Sequence, residues 1–334
     1  MKRLFPLLLV FLLALLGLGA WLAHGAWQWW RAPLELGAES VEFTVPSGMP
    51  LQAVAQGWVA AGVRSDARQL YWAWRLSGEA PRLRAGSYAA VAGDSPERLL
   101  QKMVRGEELL EPLQLLEGWT FAEVRRALAR QPHLRQIVTG LSDAELMTRL
   151  GRPGQSPEGR FFPDTYKHGR GVDDLTVLRQ ALAAMDTQLE RAWAARTPDS
   201  PLRSADELLK LASIIEKETG RDADRPMVAS VFSNRLRIGM RLQTDPTVIF
   251  GLGERFDGNL RKVDLLTDTP YNSYTRAGLP PTPIALPGRA SLMAAAQPAR
   301  SQALYFVARG DGSSEFSDNL AAHNRAVARF QLQR

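Results

Sequence analysis

A glutamate near the end of a predicted helix, Glu218, has the surroundings that a catalytic carboxyl needs. It lies in LASIIEKET, Leu211 to Thr219, where a second glutamate stands two positions before it. On a wheel of about 100° per residue, Glu218 falls about 20° from Leu211 and about 160° from Glu216. The apolar stripe of this helix consists of Leu208, Leu209, Leu211, Ala212 and Ile215. We therefore expect Glu218 to continue the buried face and Glu216 to face the solvent.

Burial would give Glu218 the chemistry of a proton donor. Desolvation disfavours the charged form of a carboxyl and raises its pKa. The negative end of the helix dipole acts in the same direction. A glutamic acid that stays protonated near neutral pH can donate a proton to a glycosidic oxygen. The periodicity leaves two plainer interpretations open, a surface residue or an ion pair with Arg221 or Arg225.

Other common catalytic groups have little support in the sequence. The chain has four histidines and no cysteine. It contains neither the HExxH spacing of a zinc site nor the GxSxG turn of a serine hydrolase, and it has no glycine-rich phosphate loop. We expect neither a metal nor a cofactor, so carboxylates remain as the candidate acid and base.

Polar and aromatic residues downstream of Glu218 are suited to binding a sugar. They lie in the segments QTDPT and YNSYT, and a further carboxylate lies in the aromatic loop EGRFFPDTY. The candidate binding residues are Gln243, Thr244, Asp245, Tyr271, Asn272, Tyr274, Thr275 and Glu158. Sugar rings need aromatic faces beside amides and hydroxyls, which these segments combine. Because Asn, Asp, Ser and Pro favour turns whatever their function, the segments could also be plain loop structure.

The chain begins with a segment suited to crossing a membrane. A basic pair at positions 2–3 precedes an apolar run from Leu4 to Ala23, and three tryptophans follow between Trp27 and Trp30. About 20 apolar residues span a bilayer, and the basic pair predicts that the N-terminus stays inside. We expect residues 1–31 to be an uncleaved single-pass anchor. A signal peptide cleaved near Gly25 is the alternative, although its apolar region is typically only about 7–15 residues long.

The rest of the sequence predicts an α+β chain with two domains. After a linker at residues 32–40, a strand, two helices and a second strand predict a small βααβ domain at 41–112, similar to a LysM-type carbohydrate-binding module. From 113 to 334 the pattern is mainly helical. Capping boxes mark helix starts at Thr120/Glu123, Ser142/Glu145 and Ser204/Glu207.

Four long motifs of the sequence are recognisable together. They are LASIIEKET, VASVFSNRLRIGMRLQTDPTVIFGLG (Val228 to Gly253), YNSYTRAGLPPTPIALPG (Tyr271 to Gly288) and LYFVARG (Leu304 to Gly310). In order and spacing they resemble the endolytic murein transglycosylases of the YceG-like family, and EGRFFPDTY resembles the aromatic loop of that family. The resemblance covers nearly the whole chain.

The resemblance implies a reaction with one catalytic glutamate at the position of Glu218. That residue would protonate the oxygen between N-acetylmuramic acid and N-acetylglucosamine and then act as base on the muramyl C6 hydroxyl. The product would be a 1,6-anhydromuramyl end. No water is consumed, so a second catalytic carboxylate is not required.

The resemblance also implies where the enzyme works and with what. It implies a lysozyme/transglycosylase-like catalytic domain at 113–334, in the periplasm and beside the inner (cytoplasmic) membrane. Its substrate would be nascent peptidoglycan glycan strands, whose length it would help to set, and its partners would be peptidoglycan synthases.

Two other functions fit the same residues. A muramidase that uses water would need a second carboxylate, for which Asp245 and Glu158 are candidates. A non-catalytic scaffold would bind glycan and recruit synthases without cleaving the strand.

The net charge of +6 could indicate nucleic acid, but an exported chain rarely meets it. We expect no nucleic acid, and instead an anionic membrane surface or an acidic cell-wall polymer.

Overall fold

The computed structural model describes residues 4–218 and 220–331 and is a mixture of helices and short strands. The helices are α1 (Leu4–Arg31), α2 (Leu51–Ala61), α3 (Ala67–Leu76), α4 (Pro96–Arg105), α5 (Phe121–Ala129), α6 (Asp143–Arg149), α7 (Asp174–Ala194), α8 (Ala205–Glu218), α9 (Arg225–Arg237), α10 (Asp245–Leu252), α11 (Lys262–Leu266), α12 (Arg289–Ala296) and α13 (Leu320–Phe330). The strands are β1 (Glu35–Leu36), β2 (Ser40–Val45), β3 (Val63–Arg64), β4 (Gly86–Val91), β5 (Leu110–Gln114), β6 (Thr165–Gly169), β7 (Tyr305–Ala308) and β8 (Ser314–Ser317). They pair two by two, β1 with β3, β2 with β4, β5 with β6 and β7 with β8. The mixed class agrees with the α+β prediction.

The chain divides into two compact units. The N-terminal unit comprises Met1–Glu111 with His168–Gly171, and the C-terminal unit comprises Pro112–Lys167 with Val172–Arg334. Each unit has its own hydrophobic core. The C-terminal unit contains all the candidate site residues.

Helix α1 is the apolar segment that the sequence predicts as an anchor. Its stretch Leu9–Arg31 is long and apolar enough to cross a membrane, a test that a signal sequence near an N-terminus also passes. At its far end, Trp29 and Trp30 pack against the core of the N-terminal unit. The basic pair at positions 2–3 lies outside the described residues.

The predicted linker at 32–40 is part of the folded N-terminal unit instead. Leu34 is buried, and its N–H donates to the carbonyl of Asp94 at 2.7 Å. Strand β1 follows at once and pairs with β3 in antiparallel register. A buried leucine and a two-residue strand make too short a pattern to be distinguished from a linker in the sequence.

The predicted strand–helix–helix–strand order is present in the N-terminal unit. Strands β2 and β4 pair antiparallel, with Val41 opposite Ala90. The indole of Trp58 donates to the sulfur of Met103 at 3.3 Å, and that of Trp74 donates to the carbonyl of Pro96 at 3.0 Å. Both tryptophans are fully buried, so these two bonds satisfy polar atoms that would otherwise be costly in the core.

Helix α4 begins and ends at signals that are local in its sequence. The hydroxyl of Ser95 accepts from the N–H of Arg98, Pro96 takes the first helical position, and Gly106 ends the helix with φ of 71°. A positive φ of this kind is open to glycine at little cost.

Helix α8 is the central helix of the C-terminal unit and carries Glu218 as its last residue. It packs against α7, α9, α10 and α12. Its buried residues are Leu208, Leu209, Leu211, Ala212, Ser213, Ile214 and Ile215. Because other helices pack against it on several sides, α8 does not divide into one buried face and one solvent-exposed face.

The three predicted capping boxes have different outcomes. Those at Thr120/Glu123 and Ser142/Glu145 form in full. At the start of α8 the hydroxyl of Ser204 accepts from the N–H of Glu207 at 3.2 Å, but the Glu207 carboxylate accepts from the N–H of Arg203. The third box is therefore only half formed.

Replacing Gly57 with alanine should destabilise the N-terminal unit, although the same change in an exposed helix usually stabilises by about 1 kcal/mol. Gly57 lies inside α2, where an added Cβ would overlap the ring of Phe43 on β2. We expect overpacking to cost about 1–3 kcal/mol, measured by urea or thermal unfolding of the full chain. In a Phe43→Ala background the substitution should become neutral or stabilising, and an equal loss in both backgrounds would exclude the clash.

Candidate active site

Glu218 ends α8 with its carboxyl desolvated and hydrogen-bonded. The hydroxyl of Thr244 donates to its Oε1. Burial raises the pKa of Glu218, as the sequence predicts, and the nearby Asp245 carboxylate raises it further. The Thr244 hydrogen bond and the Arg235 guanidinium act in the opposite direction. The residue keeps some solvent exposure, and its surroundings shift the carboxyl toward the protonated form.

Thr244 is held in place by the loop around Ser273. The Thr244 N–H donates to the Ser273 hydroxyl at 3.0 Å, and the Ser273 and Thr247 hydroxyls lie 2.8 Å apart. The N–H of Gln243 donates to the Ser273 carbonyl at 3.1 Å. Thr244 therefore positions the carboxyl of Glu218. With its side chain buried, it is placed for this role more than for the sugar contact expected from the sequence.

Gln243, the residue before Thr244, has a strained backbone. Its φ is 48°, and it is the one non-glycine residue with positive φ in the described part of the chain. Left-handed backbone costs a residue with a Cβ about 1–2 kcal/mol, and such strain concentrates at functional sites. The side chain of Gln243 is exposed, and its contact with a ligand stays a prediction.

Arg235 on α9 is a buried cation that was not predicted from the sequence. Its Nε donates to the carbonyl of Leu304 at 2.7 Å and its Nη1 to that of Leu242 at 2.5 Å. Its guanidinium lies 5.3 Å from the ring centroid of Tyr305. A signal was present, because Arg235 follows buried Phe232 by three positions on the face of α9 that packs into the core. Its positive charge lies close enough to lower the pKa of Glu218.

Asp245 and Tyr274 form a pair beside Glu218. The phenol of Tyr274 donates to Oδ1 of Asp245 at 2.6 Å. Burial, followed by this hydrogen bond, raises the pKa of Tyr274, so it stays a donor. Asp245 is exposed and Tyr274 half-buried. The structure thus brings together two residues from the predicted segments QTDPT and YNSYT.

The expectation that Glu216 faces the solvent is wrong. Its side chain is only 7% exposed and lies 3.8 Å from Nη2 of Arg225, which also pairs with Asp222. Its Oε2 accepts from the N–H of Gly288 at 2.9 Å, at the start of α12. The wheel failed because α12 covers the side of α8 that a two-faced helix would expose. Arg225, one of the alternative partners considered for Glu218, is engaged here.

Asn272 and Thr275 bond within their own loop. Asn272 is fully buried, and its amide donates to the carbonyls of Asp264, Leu265 and Thr267. The Thr275 hydroxyl donates to Asp268 at 2.7 Å. We therefore assign Asn272 a structural role in place of the expected binding role.

Tyr271 is half-buried, and both its ring and its hydroxyl contact other residues. Its ring lies edge-on to Phe250 at 4.9 Å, and its hydroxyl is 2.9 Å from that of Thr282. It supports the loop that contains Ser273 and Tyr274.

Glu158 is buried and caps a helix. Both of its carboxylate oxygens lie 3.1 Å from the N–H of Phe121, the first residue of α5. Burial raises its pKa to about 7, opposed by hydrogen bonds from the N–H groups of Phe121 and Gly159. This geometry replaces the binding role expected from the sequence, because the carboxylate already serves the end of α5.

Among the described residues, no group of three or more His, Cys, Asp or Glu is placed to hold a metal ion.

The chain is similar to known proteins in sequence and in structure. The model of the YceG-like family matches residues 43–329. An endolytic murein transglycosylase from Bacillus subtilis is 29% identical over 308 residues, covering 87% of this chain and 85% of that protein. One from Streptococcus pneumoniae is 28% identical over 280 residues, covering 74% of this chain and 50% of that protein, so the chain matches half the length of that relative. The crystal structure of a YceG-like protein from Listeria monocytogenes matches with a TM-score of 0.56 at 29% identity, covering 86% of this chain and 98% of that one.

Replacing Glu218 with glutamine should stabilise the C-terminal unit more as the pH rises. The pKa of Glu218 is raised in the folded state, so its favourable contribution is present at low pH and is lost as the pH passes through the folded pKa. A neutral glutamine keeps its contacts at every pH. Thermal unfolding over a pH series measures the difference between variant and parent.

The matched control is Glu216→Gln on the same helix. It leaves the buried Arg225 without its charged partner on α8 and should lower stability by about 1–3 kcal/mol. A Glu218→Gln effect that does not vary with pH would contradict the desolvation of this carboxyl.

Proposed function

The chain belongs to the YceG-like family, and we propose that it acts as an endolytic murein transglycosylase, the activity named for its relatives. The observation that supports this most directly is the carboxyl of Glu218, which burial favours in the protonated form and which stays within reach of solvent. It is the group that such a reaction needs at its start.

In the first step we assign Glu218 the role of general acid. Its protonated carboxyl donates to the oxygen that joins N-acetylmuramic acid to N-acetylglucosamine. The bond from C1 of the muramyl ring to that oxygen breaks, and the electron pair leaves with the protonated oxygen. Positive charge develops at C1, and Glu218 becomes a carboxylate.

In the second step the same carboxylate acts as general base. It takes the proton of the muramyl C6 hydroxyl while O6 bonds to C1, which closes the 1,6-anhydro ring and restores the protonated acid. No water is consumed, so one carboxyl suffices. The opposed influences on Glu218 suit this cycle, because burial and Asp245 favour the acid, while Thr244 and Arg235 stabilise the carboxylate.

We propose that Gln243, Asp245 and Tyr274 line the glycan groove beside Glu218. Asp245 and Gln243 are exposed, and the Tyr274 phenol is held by Asp245. A carboxylate near the reacting carbon would stabilise the positive charge that develops at C1. Tyr271 and Thr275 would support the loop that presents Tyr274.

A hydrolytic muramidase is the second candidate function, and Asp245 is the observation that favours it. An exposed carboxylate near a protonated glutamic acid could activate water, as in ordinary glycosidases. Glu158 is a poorer candidate for that role, since it caps α5.

The remaining proposals concern the place of the enzyme in the cell. We propose that α1 anchors the chain in the inner membrane, with both units in the periplasm beside nascent strands and the synthases that make them. The strand–helix–helix–strand part of the N-terminal unit, β2 to β4, would be a LysM-like module that binds glycan.

The product of digestion tests the reaction and the residue together. Mass spectrometry of glycan strands digested by the full chain should detect 1,6-anhydromuramyl ends, which lack the mass of one water. Glu218→Gln should lower product release by at least about 10²-fold, because a positioned acid and base contributes about 10²–10⁴-fold. Glu190→Gln, an exposed site on α7, is the control and should act like the parent. Reducing ends in place of anhydro ends would favour the muramidase.

The pH profile tests the influence of Asp245 on the acid. Activity should persist above the usual pKa range of glutamate and fall as the pH rises through the raised pKa of Glu218. Asp245→Asn removes a negative charge that raises this pKa, so the alkaline fall in kcat/KM should move to lower pH. Tyr274→Phe keeps the charge of Asp245 and should not move the fall downward. If both variants shifted it equally, Asp245 would not act through its charge.

A further inference from the structure

The exposed side of α3 carries large apolar groups next to cations. Trp72 is 56% exposed and Leu76 is 80% exposed, and Arg68 and Arg75 are exposed on the same side. We call these four residues the α3 face. The opposite side of the helix buries Leu70 and Trp74, and the sequence of α3 contains no acidic residue.

Part of the α3 face is ordered by its own contacts. The Arg75 guanidinium lies 5.8 Å from the ring centroid of Trp72 and 5.9 Å from that of Tyr71. Its Nη1 donates to the Tyr71 hydroxyl at 2.6 Å, and the two rings meet edge to face at 5.2 Å. Arg75 thus holds its charge beside an exposed indole. Such a combination suits a surface that is apolar at depth and anionic at its boundary.

Helix α3 and the end of α1 both contact the first turn of α4. The indole of Trp74, on the buried side of α3, donates to the carbonyl of Pro96, the first residue of α4. The next residue, Glu97, lies 3.5 Å from Nε of Arg31, the last residue of α1. The first turn of α4 is therefore where the buried side of α3 and the end of α1 are joined, and Trp29 and Trp30 pack against the core of the same unit.

Helix geometry places this meeting point near the bilayer surface. The apolar run of α1 ends at Ala23, and the eight residues from there to Arg31 rise about 12 Å. The hydrocarbon core is about 30 Å thick, and the headgroup regions bring the bilayer to about 40–45 Å. Arg31 then lies a few ångströms beyond the headgroup region on one side, the region in which exposed tryptophan and arginine side chains are enriched.

We propose that the α3 face is a second membrane contact. Trp72 and Leu76 enter the headgroup region of the bilayer that α1 spans, and Arg68 and Arg75 pair with the phosphates of anionic lipids. The contact rests on the anchoring role proposed for α1. Two contacts define how the N-terminal unit is tilted over the membrane, which a single helix leaves open.

Single-cysteine labelling of the full chain tests the contact, because the sequence has no cysteine of its own. An environment-sensitive fluorophore is attached at Leu76→Cys, and the protein is reconstituted in vesicles of phosphatidylglycerol and phosphatidylcholine with a spin-labelled headgroup-region lipid. Leu13→Cys, in α1, reports whether the anchor is inserted. Ile238→Cys, an apolar site in the C-terminal unit that is 63% exposed, is the control for exposure alone.

We expect the emission at position 76 to shift to the blue and to be quenched several-fold more than at position 238. The shift should weaken in phosphatidylcholine alone and in the Arg68→Gln/Arg75→Gln variant. Since these side chains are exposed, each variant should keep the thermal midpoint of the parent, which checks the fold.

Three results would overturn the contact. In the first, the label at position 13 reports insertion but the label at position 76 behaves like the one at position 238. This result excludes the membrane contact of the α3 face and leaves the anchor intact. Lack of insertion at position 13 removes the anchor and the contact with it. A blue shift at 76 on adding isolated sacculi, but not in vesicles, would assign the face to glycan.

Discussion

A carboxyl in a protein core must either have its charge stabilised or remain protonated, and the C-terminal unit meets this constraint in both ways. Glu158 accepts from the first N–H of α5, and Glu216 accepts from the N–H of Gly288 at the start of α12. Both sit where a helix dipole favours an anion. Glu218 sits at the opposite kind of position, the end of α8, where the dipole disfavours one. Three glutamates of the same unit thus divide into two that bond to the start of a helix and one, Glu218, that lies at the end of a helix.

The surroundings of Glu218 depend on elements distant in the chain. Its hydroxyl partner comes from the loop before α10, that loop is held by Ser273, and the nearby cation comes from α9. Helix α8 can carry a glutamate at its C-terminal end because its own apolar residues anchor it among α7, α9, α10 and α12. The packing of the core therefore holds Glu218, at the edge of the core, in surroundings that disfavour its ionisation.

Signals that act over a few residues predicted the local structure well. Contacts between residues distant in the chain could not be read from the sequence. Ser95, Pro96 and Gly106 define α4 through contacts a few residues apart, the kind of signal that a sequence carries. Periodicity also identified Glu218 as a desolvated glutamate. It misplaced Glu216, because the neighbour that buries it lies about 70 residues later. The amide of Asn272 looked like a sugar ligand, since sequence alone does not tell a loop brace from a binding group.

The packing of Trp29 and Trp30 bears on where α1 could be cut without loss of the contacts of the N-terminal unit. Both tryptophans lie in the last turns of α1 and are partly buried against the core of the unit, and the small residues Ala23 and Gly25 precede them. A proteolytic cut at those small residues would leave both tryptophans with the unit. A cut after Arg31 would instead remove two aromatic side chains that pack against its core. Release of the intact unit is thus compatible with cleavage on one side of Trp29 only.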